Sequence, residues 1–352
     1  MSDKLQLGII GCGAIGKTHA TAAKLLPDVQ IAAVADLDRK QAEIVAKQCE
    51  VGRICDSGED ILDDPDIDAV ILALPAVART KLCLHAFEQG KHVLNEKPMA
   101  MNMEEIKQLL EAKGDLVAAS CTSRMRHTES VKAAADFIAT GALGDLRVLR
   151  VRALIGAVPP DEALLVPWRY KSRVNAGGIM SNWGCYDLDT MLGVLDWKLR
   201  PESVLGQTWT VQPDFVGHIA PGSDGESHVS AMIKCAGGVS ILFERGELVP
   251  RSTETAWEIT GTGGTLHLRI VPGEDKKLLF DRADPQVGIE TQTVWEGGDD
   301  WDTIHVELIA DFVRAIRTGR PPATTFEQAA VVQRITHAIY DSSATGKPII
   351  LD

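Results

Sequence analysis

Three closely spaced glycines near the start of the chain constrain the fold more than any other feature. They follow a short apolar segment, residues 5–10, and open a segment with helical periodicity. In this setting the G-x-G-x-x-G spacing is typical of a turn that holds a dinucleotide pyrophosphate on the amides of the following helix. The predicted cofactor-binding turn consists of Gly11, Cys12, Gly13, Ala14, Ile15 and Gly16. The alternative is an ordinary glycine-rich turn.

An acidic residue, Asp36, ends the next strand-like segment, at the distance where a carboxylate accepts hydrogen bonds from the adenosine ribose. Such a carboxylate repels a 2′-phosphate, and Asp38 adds to that repulsion. Arg39 and Lys40 argue the other way, because a basic residue here can accommodate the phosphate. The pattern therefore favours NAD over NADP. The alternative for Asp36 is a solvated acid at a strand end.

Apolar segments alternate with amphipathic helical segments over the first third of the chain. Continuous apolar character is expected of parallel strands buried on both faces, with helices as crossovers. The strand candidates are residues 5–10, 30–35, 53–55, 69–74, 92–95 and 116–121. The helix candidates are residues 15–26, 39–49, 80–89 and 103–113. We predict an α/β Rossmann domain with a doubly wound parallel sheet over residues 1–122.

The pattern changes after residue 122. Strand-like segments are now separated by tight glycine turns, and neighbours joined in this way pair antiparallel. The strand candidates are residues 146–154, 229–235, 239–245, 254–260 and 265–270, and the helix candidates are residues 130–140, 302–318 and 326–343. We predict a second, α+β domain over residues 123–352 with a large, mostly antiparallel open sheet. An open sheet face needs cover, which points to a partner subunit.

The composition argues against several classes of function. An excess of 13 negative charges disfavours binding to nucleic acid or to an anionic membrane. The seven cysteines form no C-x-x-C pair, and the sequence shows neither a signal-peptide core nor an apolar run of membrane-spanning length. A cytoplasmic location is therefore expected. The nine histidines form no H-x-x-x-H pair, and no metal site is predicted.

A lysine, Lys97, follows the fifth strand candidate, at the edge where open α/β sheets bind ligands. Pro98 restrains the turn that carries it. An ammonium held there could bond a substrate hydroxyl and the nicotinamide ribose, and would favour the alkoxide-like state that forms as hydride leaves carbon. The residues of this edge assigned to the cofactor site are Leu74, Pro75, Glu96 and Lys97. Taken alone, a lysine before a proline is usually a solvated charge.

Three segments together resemble one known family. They are the glycine turn, the run GKHVLNEKP at residues 90–98 and the run AIYDSSATGKP at residues 338–348. They are similar to the glucose-fructose oxidoreductase/inositol dehydrogenase (Gfo/Idh/MocA) family, and the resemblance covers nearly the whole chain. It implies an NAD-dependent oxidoreductase that transfers hydride between nicotinamide and a secondary hydroxyl or ketone of a sugar, cyclitol or sugar derivative. It also implies Lys97 as the catalytic lysine and a homodimer or homotetramer.

A further family motif is a glycine pair, then an Asp, a His four positions on and an Asp three further. It resembles the run GGIMSNWGCYDLD at residues 177–189, in which Asp189 matches but Asn182 and Tyr186 replace the Asp and the His. A nearby ammonium favours the phenolate, so Lys97 could activate Tyr186 to move the proton. Asn182 cannot take a proton, and it would orient the substrate with Asp189. The alternative is a half-buried tyrosine bonded to the backbone.

Five further residues are candidates for substrate binding. Arg126 and His127 follow the sixth strand candidate and could bind substrate hydroxyls or a carboxylate. Trp168, Arg169 and Lys171 resemble the family segment that closes over cofactor and substrate. Arg169 and Lys171 could bind an acidic group, which makes a uronate conceivable. Solvated loop charges fit Arg126 and His127 equally well.

The departures from the family leave two other functions open. Besides Asn182 and Tyr186, Arg79 stands where relatives often carry a His, a change from which we infer no chemistry. The first alternative is an NAD(P)-binding regulator without catalysis, against which Lys97 argues. The second is an enzyme that cleaves a glycoside through transient oxidation, with NAD regenerated in each cycle.

Overall fold

The chain divides into two compact units. The structure, a computed structural model, describes residues 4–159 and 168–351. The two units are Met1–Arg124 with Trp301–Ala330, and Met125–Asp300 with Val331–Asp352. None of the helices in the described ranges combines the length and apolar character that crossing a bilayer requires.

The regular elements are named in chain order. The strands are β1 (Leu5–Ile10), β2 (Val29–Ala35), β3 (Ile54–Cys55), β4 (Ala69–Leu72), β5 (His92–Asn95), β6 (Ala118–Ser120), β7 (Leu146–Gly156), β8 (Pro201–Thr210), β9 (Glu226–Cys235), β10 (Ser240–Val249), β11 (Glu254–Gly261), β12 (Thr265–Leu268), β13 (Gly273–Asp284), β14 (Gly288–Asp299) and β15 (Ile349–Ile350). The α-helices are α1 (Ala14–Lys24), α2 (Arg39–Cys49), α3 (Gly58–Leu62), α4 (Ala76–Glu88), α5 (Met103–Ala112), α6 (Glu129–Ala139), α7 (Ser172–Asn175), α8 (Cys185–Gly193), α9 (Trp301–Thr318) and α10 (Phe326–Thr345).

The first unit is built on a six-stranded sheet in the order β3-β2-β1-β4-β5-β6, in which every pair is parallel. This is the doubly wound order of a Rossmann fold. Successive strand residues point into two separate cores: Ile9 and Ile71 belong to one, and Ile10 and Leu72 to the other. Because both faces are covered, the central strand β4 is apolar throughout, and the other strands carry few polar residues. The predicted fold class of the first domain is confirmed.

The first unit extends beyond the predicted boundary. Residues 301–330, which the sequence division at 122 and 123 assigns to the second domain, lie with the first unit. The reason is the apolar face of α9, where Leu308, Ile309 and Phe312 join the core cluster that contains β1 and α1. Periodicity predicts the helix and its apolar face, but it does not say which core that face joins.

The second unit is built on a nine-stranded sheet in the order β14-β13-β12-β11-β7-β10-β9-β8-β15. Its neighbours run antiparallel except β7 and β10, which are parallel. The predicted large, mostly antiparallel sheet is therefore confirmed. The sequence analysis missed the β13–β14 hairpin, because most side chains of the edge strand β14 are exposed and show no apolar alternation.

Truncation of Phe312 tests the assignment of α9 to the first unit's core. The side chain is fully buried, so Phe312→Ala should lower the free energy of unfolding by about 3–5 kcal/mol. The measurement is denaturant unfolding of the whole chain. Arg314→Ala on the exposed face of α9 is the control and should stay within about 0.5 kcal/mol of the parent. Equal stability of the Phe312 and Arg314 variants would contradict the assignment.

Candidate active site

The glycine turn between β1 and α1 has the geometry that its spacing predicts. Gly11 has a φ of 97°, and a Cβ there would lie 2.4 Å from the Ala73 carbonyl oxygen. A Cβ at Gly16 would lie 1.9 Å from the Gly11 carbonyl oxygen, so helix and turn can approach only without it. Gly11 and Gly16 are therefore required by the fold itself.

The space beside this turn fits a pyrophosphate. A Cβ at Gly13 would meet no atom within 4 Å, so this glycine leaves open space rather than relieving a contact in the protein. Gly13 is the N-cap of α1 and has no side chain to accept hydrogen bonds from the first amides. Ala14 beside it is exposed, and Ile15 packs against the core. These amides and the positive end of the helix dipole can bind an anion.

Asp36 lies beside the turn. Its Oδ2 accepts a hydrogen bond from the backbone N–H of Cys12 at 2.6 Å, and its Oδ1 accepts one from that of Asp38 at 2.8 Å. Burial, together with the nearby Asp36 carboxylate, raises the pKa of the Cys12 thiol to about 12. Cys12 therefore stays a neutral thiol and adds no charge to the site.

One of the two basic residues that argued for NADP, Arg39, is already paired. The Arg39 guanidinium lies 2.6 Å from Asp56 Oδ1 and 3.4 Å from Glu43 Oε1. Asp38, one residue earlier, caps α2 by accepting the Lys40 backbone N–H at 3.1 Å. Two acids partly neutralise the one arginine, which reduces its attraction for a 2′-phosphate.

Leu74 and Pro75 follow β4, which neighbours β1, so they lie at the same sheet edge as the glycine turn. A Cβ at Gly11 would be 2.9 Å from Leu74 Cδ2, and Pro75 is the N-cap of α4. Both side chains are half-buried. The structure thus brings the predicted residues of β1 and β4 together.

A buried carboxylate, Glu96, fixes the segment that carries Lys97. Its Oε1 lies 2.8 Å from His19 Nε2 and is also bonded by the Arg124 guanidinium, while its Oε2 accepts the Lys97 backbone N–H at 3.1 Å. Burial alone would raise the pKa of Glu96, but Arg124, His19 and Lys97 hold it well below its usual range. Glu96 is therefore an anion. Lys97 itself is half-buried, and its bond to Pro98 is cis.

Three side chains of the same cluster carry atoms that could bind a metal ion. Ligand atoms of His19, Glu96 and Cys121 lie within 4.8 Å of one another. However, Arg124 already bonds the carboxylate, and burial and Glu96 raise the pKa of the Cys121 thiol well above its usual range. A metal would need the thiolate and would meet the repulsion of the guanidinium. The residues fit a hydrogen-bonded core better than a metal centre.

In the second unit the predicted glycine pair is packed against buried side chains. A Cβ at Gly177, where φ is 143°, would lie 2.1 Å from Tyr340 Oη. Glu226 accepts the backbone N–H groups of Gly178 at 2.8 Å and Met180 at 2.9 Å, and the Tyr340 hydroxyl at 3.0 Å. Glu226 therefore fixes the start of the helical run. The sequence analysis did not identify it.

The helical run predicted for Asn182, Tyr186 and Asp189 is present, but it begins as a π-helix over Met180–Gly184 before α8. The wider turn departs from the regular α-helical spacing on which the prediction depends. Asn182 is half-buried, whereas Tyr186 is 3% exposed and Asp189 is fully buried.

Aromatic contacts hold the Tyr186 ring. The Trp183 ring meets it edge to face at 5.7 Å between centroids, and the Arg245 guanidinium lies 5.1 Å from the Trp183 centroid. Asp187 anchors that arginine at 3.1 Å and also accepts the Trp257 indole N–H at 2.9 Å. Burial raises the pKa of Asp187 despite the attraction of Arg245. The ring that packs against Tyr186 is therefore itself in contact with a buried ion pair.

The predicted cations of the second unit are largely paired. Arg126 Nη1 lies 3.8 Å from Asp189 Oδ1, which brings two predicted site residues together. Arg169 lies 2.5 Å from Glu247, which also accepts the Tyr170 hydroxyl. The other three candidates differ in exposure. His127 is buried, Lys171 is half-buried, and Trp168 is 40% exposed.

Comparison with known proteins shows matches to two family profiles. The profile described as "Oxidoreductase family, NAD-binding Rossmann fold" matches residues 5–117, and that of the "GFO/IDH/MocA C-terminal domain" matches residues 131–267. The myo-inositol 2-dehydrogenase of Thermotoga maritima is 20% identical over 99% of both chains. The levoglucosan dehydrogenase of Pseudarthrobacter phenanthrenivorans is 24% identical over 97% of both.

A solved structure agrees in fold. A levoglucosan dehydrogenase in complex with NADH and L-sorbose superposes with a TM-score of 0.85 at 23% identity, covering 99% of both chains. At this identity the likeness shows the fold alone. The two profile matches, by contrast, confirm the resemblance and the predicted enzyme class: the chain belongs to the Gfo/Idh/MocA family of NAD-binding oxidoreductases.

Proposed function

We propose that this chain catalyses the reversible oxidation of a secondary hydroxyl of a neutral sugar, cyclitol or sugar derivative, with hydride passing to NAD. The observation that carries the proposal is the segment of Lys97, which Glu96 fixes at the sheet edge that also holds the glycine turn. The relatives named for myo-inositol and levoglucosan support this substrate class.

In the proposed mechanism Lys97 and Tyr186 act on the same hydroxyl. NAD, when bound, supplies the hydride acceptor. Tyr186, as phenolate, takes the hydroxyl proton, and the Lys97 ammonium stabilises the charge that develops on the oxygen as the alcohol becomes a ketone. Asn182 orients the hydroxyl through its amide. Asp189, paired with Arg126, fixes the helix on which Tyr186 lies.

A neutral substrate is favoured over a sugar acid. The carboxylate of an acidic substrate would need an available cation, but Arg126 and Arg169 are each paired with a carboxylate of the protein, which leaves Lys171 as the remaining candidate cation. Breaking either pair to bind the substrate would leave Asp189 or Glu247 with less compensation in a poorly solvated place. Hydroxyl groups, by contrast, can bond to these pairs without disrupting them.

NAD is favoured over NADP by the surroundings of Asp36. Its carboxylate can accept the ribose hydroxyls, and it would repel a 2′-phosphate. The pairing of Arg39 with Asp56 and Glu43 weakens the one guanidinium next to this position. Lys40 remains the basic residue that could favour NADP.

A homodimer or homotetramer would cover the exposed sheet face of the second unit. Leu205, Met232 and Leu242 lie in register on β8, β9 and β10, and their exposed fractions are 49%, 49% and 36%. Arg150 and Glu258 form an ion pair farther along the same sheet. A row of apolar side chains beside charged pairs fits a second copy of this chain.

The seven free, buried cysteines fit a reducing, cytoplasmic location.

A substrate panel tests the proposal. Neutral sugars, inositols and sugar acids are offered with NAD or NADP at equal concentrations, and formation of reduced cofactor is followed by absorbance. We expect turnover of a neutral member, with kcat/KM for NAD at least about tenfold above that for NADP, or roughly 1.4 kcal/mol. Faster turnover of sugar acids, or a preference for NADP, would contradict the respective part of the proposal.

Substitution of Lys97 and Tyr186 tests the mechanism. Lys97→Met and Tyr186→Phe should each lower kcat by about 10²–10⁴-fold, because each removes a group that handles charge or proton in the reacting hydroxyl. NADH affinity, measured by fluorescence titration, should change little. Lys81→Met, at a well-exposed lysine of α4, is the matched control. Undiminished turnover of the Lys97 variant would refute its role.

The sheet face predicts the assembly state. Light scattering after size-exclusion chromatography should give a mass of at least two 38.0 kDa chains. Met232→Glu should lower that mass, because it places a charge in the middle of the apolar row. Leu25→Glu, on an exposed residue of the first unit, is the control and should leave the mass unchanged. A monomeric parent chain would overturn this part of the proposal.

A further inference from the structure

We infer that Arg79 is a positioning residue for Lys97, an inference that rests on the proposed function of Lys97. Arg79 lies on α4 and is fully buried, with no exposed surface. Arg79 contacts Asn95 and Pro98, the residues on either side of Glu96 and Lys97 in the chain. It therefore holds the loop of residues 95–98 without being part of it.

The contacts of Arg79 span this loop. Its Nη1 donates to Asn95 Oδ1 at 3.0 Å, and its Nη2 donates to the backbone carbonyl of Pro98. Asn95 in turn donates from Nδ2 to the Met99 carbonyl at 2.9 Å. One guanidinium thus connects the end of β5 to the residue after Lys97, and the amide of Asn95 extends this connection by one residue.

The opposite side of the loop is held independently. Glu96 accepts the Lys97 backbone N–H and is itself bonded by His19 and Arg124. The backbone of Lys97 therefore lies between two sets of buried hydrogen bonds, one from Glu96 and one from Arg79. Loss of either set would leave the ammonium attached to a loop with more freedom.

The chemistry of arginine suits this place. A buried guanidinium is costly unless its N–H groups replace the hydrogen bonds of water, so a side chain needed only for packing would be apolar here. The planar guanidinium reaches two acceptors that lie apart, in a fixed geometry. A lysine would supply the charge from a single point, and a histidine is too short and rigid to match both contacts.

The test compares Arg79→Gln, Arg79→Lys and Arg79→Ala with the parent enzyme. A misplacement of reacting groups by about 1 Å costs roughly 10²-fold in rate, so Arg79→Gln should lower kcat by about 10- to 100-fold. KM for NAD and the affinity for NADH should change by less than about threefold. Arg79→Lys should remain impaired. Millimolar methylguanidinium should restore part of the activity of Arg79→Ala, and ethylammonium should not.

Two controls keep the outcome specific. Lys81→Gln, two residues away on the exposed side of α4, should behave as the parent. The double variant Arg79→Gln/Asn95→Ala should be no slower than its slower single variant, because both act through one connection. If Arg79→Ala does not fold, this double-mutant cycle of Arg79→Gln and Asn95→Ala still tests the inference. A parental kcat in Arg79→Gln, or additive losses in the cycle, would overturn the inference, while an active Lys97→Met variant would instead overturn the proposed function.

Discussion

The ion pair between Glu96 and Arg124 inside the first unit is the interaction on which the geometry of the candidate site depends. Without that guanidinium and His19, burial would favour the neutral acid, and the carboxylate would lose the charge that makes it a strong acceptor for the Lys97 N–H. The pair is costly to bury, but breaking it by removing one partner is costlier still. The position of one backbone amide is therefore coupled to the integrity of the surrounding core.

The second unit uses buried acids in a similar way. Glu226 bonds the backbone where the glycine pair leads into the helical run, and Asp187 anchors the arginine that lies over Trp183. Burial raises the pKa of both acids, and the hydrogen-bond donors of the protein, which act in the opposite direction, take the place of water around them. In each unit, then, charged groups removed from water fix the backbone near a residue proposed to act in catalysis.

The local sequence predicted most of the fold, because strand hydrophobicity, glycine spacing and capping residues act over short distances. At the start of α10, for example, Thr325 and Gln328, three residues apart, each accept the backbone N–H of the other. The local sequence could not predict the contacts of Glu226 or the partners of Glu96. His19 and Glu96 are 77 residues apart, and no local pattern marks a buried ion pair. The roles of Asn182, Tyr186 and Asp189 stay predictions, because spacing indicates a shared helix but not what the side chains contact.

The return of residues 301–330 to the first unit affects how the protein can be made. Phe312 and Phe326 complete the two cores of the Rossmann sheet, yet they leave the ribosome only after eight of the nine strands of the second sheet, β7 to β14, have been synthesised. During synthesis, the apolar surface of the nucleotide-binding unit that these residues cover therefore stays exposed while the intervening strands are made. A genetic fragment that ends near residue 122 would retain that exposed surface permanently, so the two units are not separable modules in the order in which they are translated.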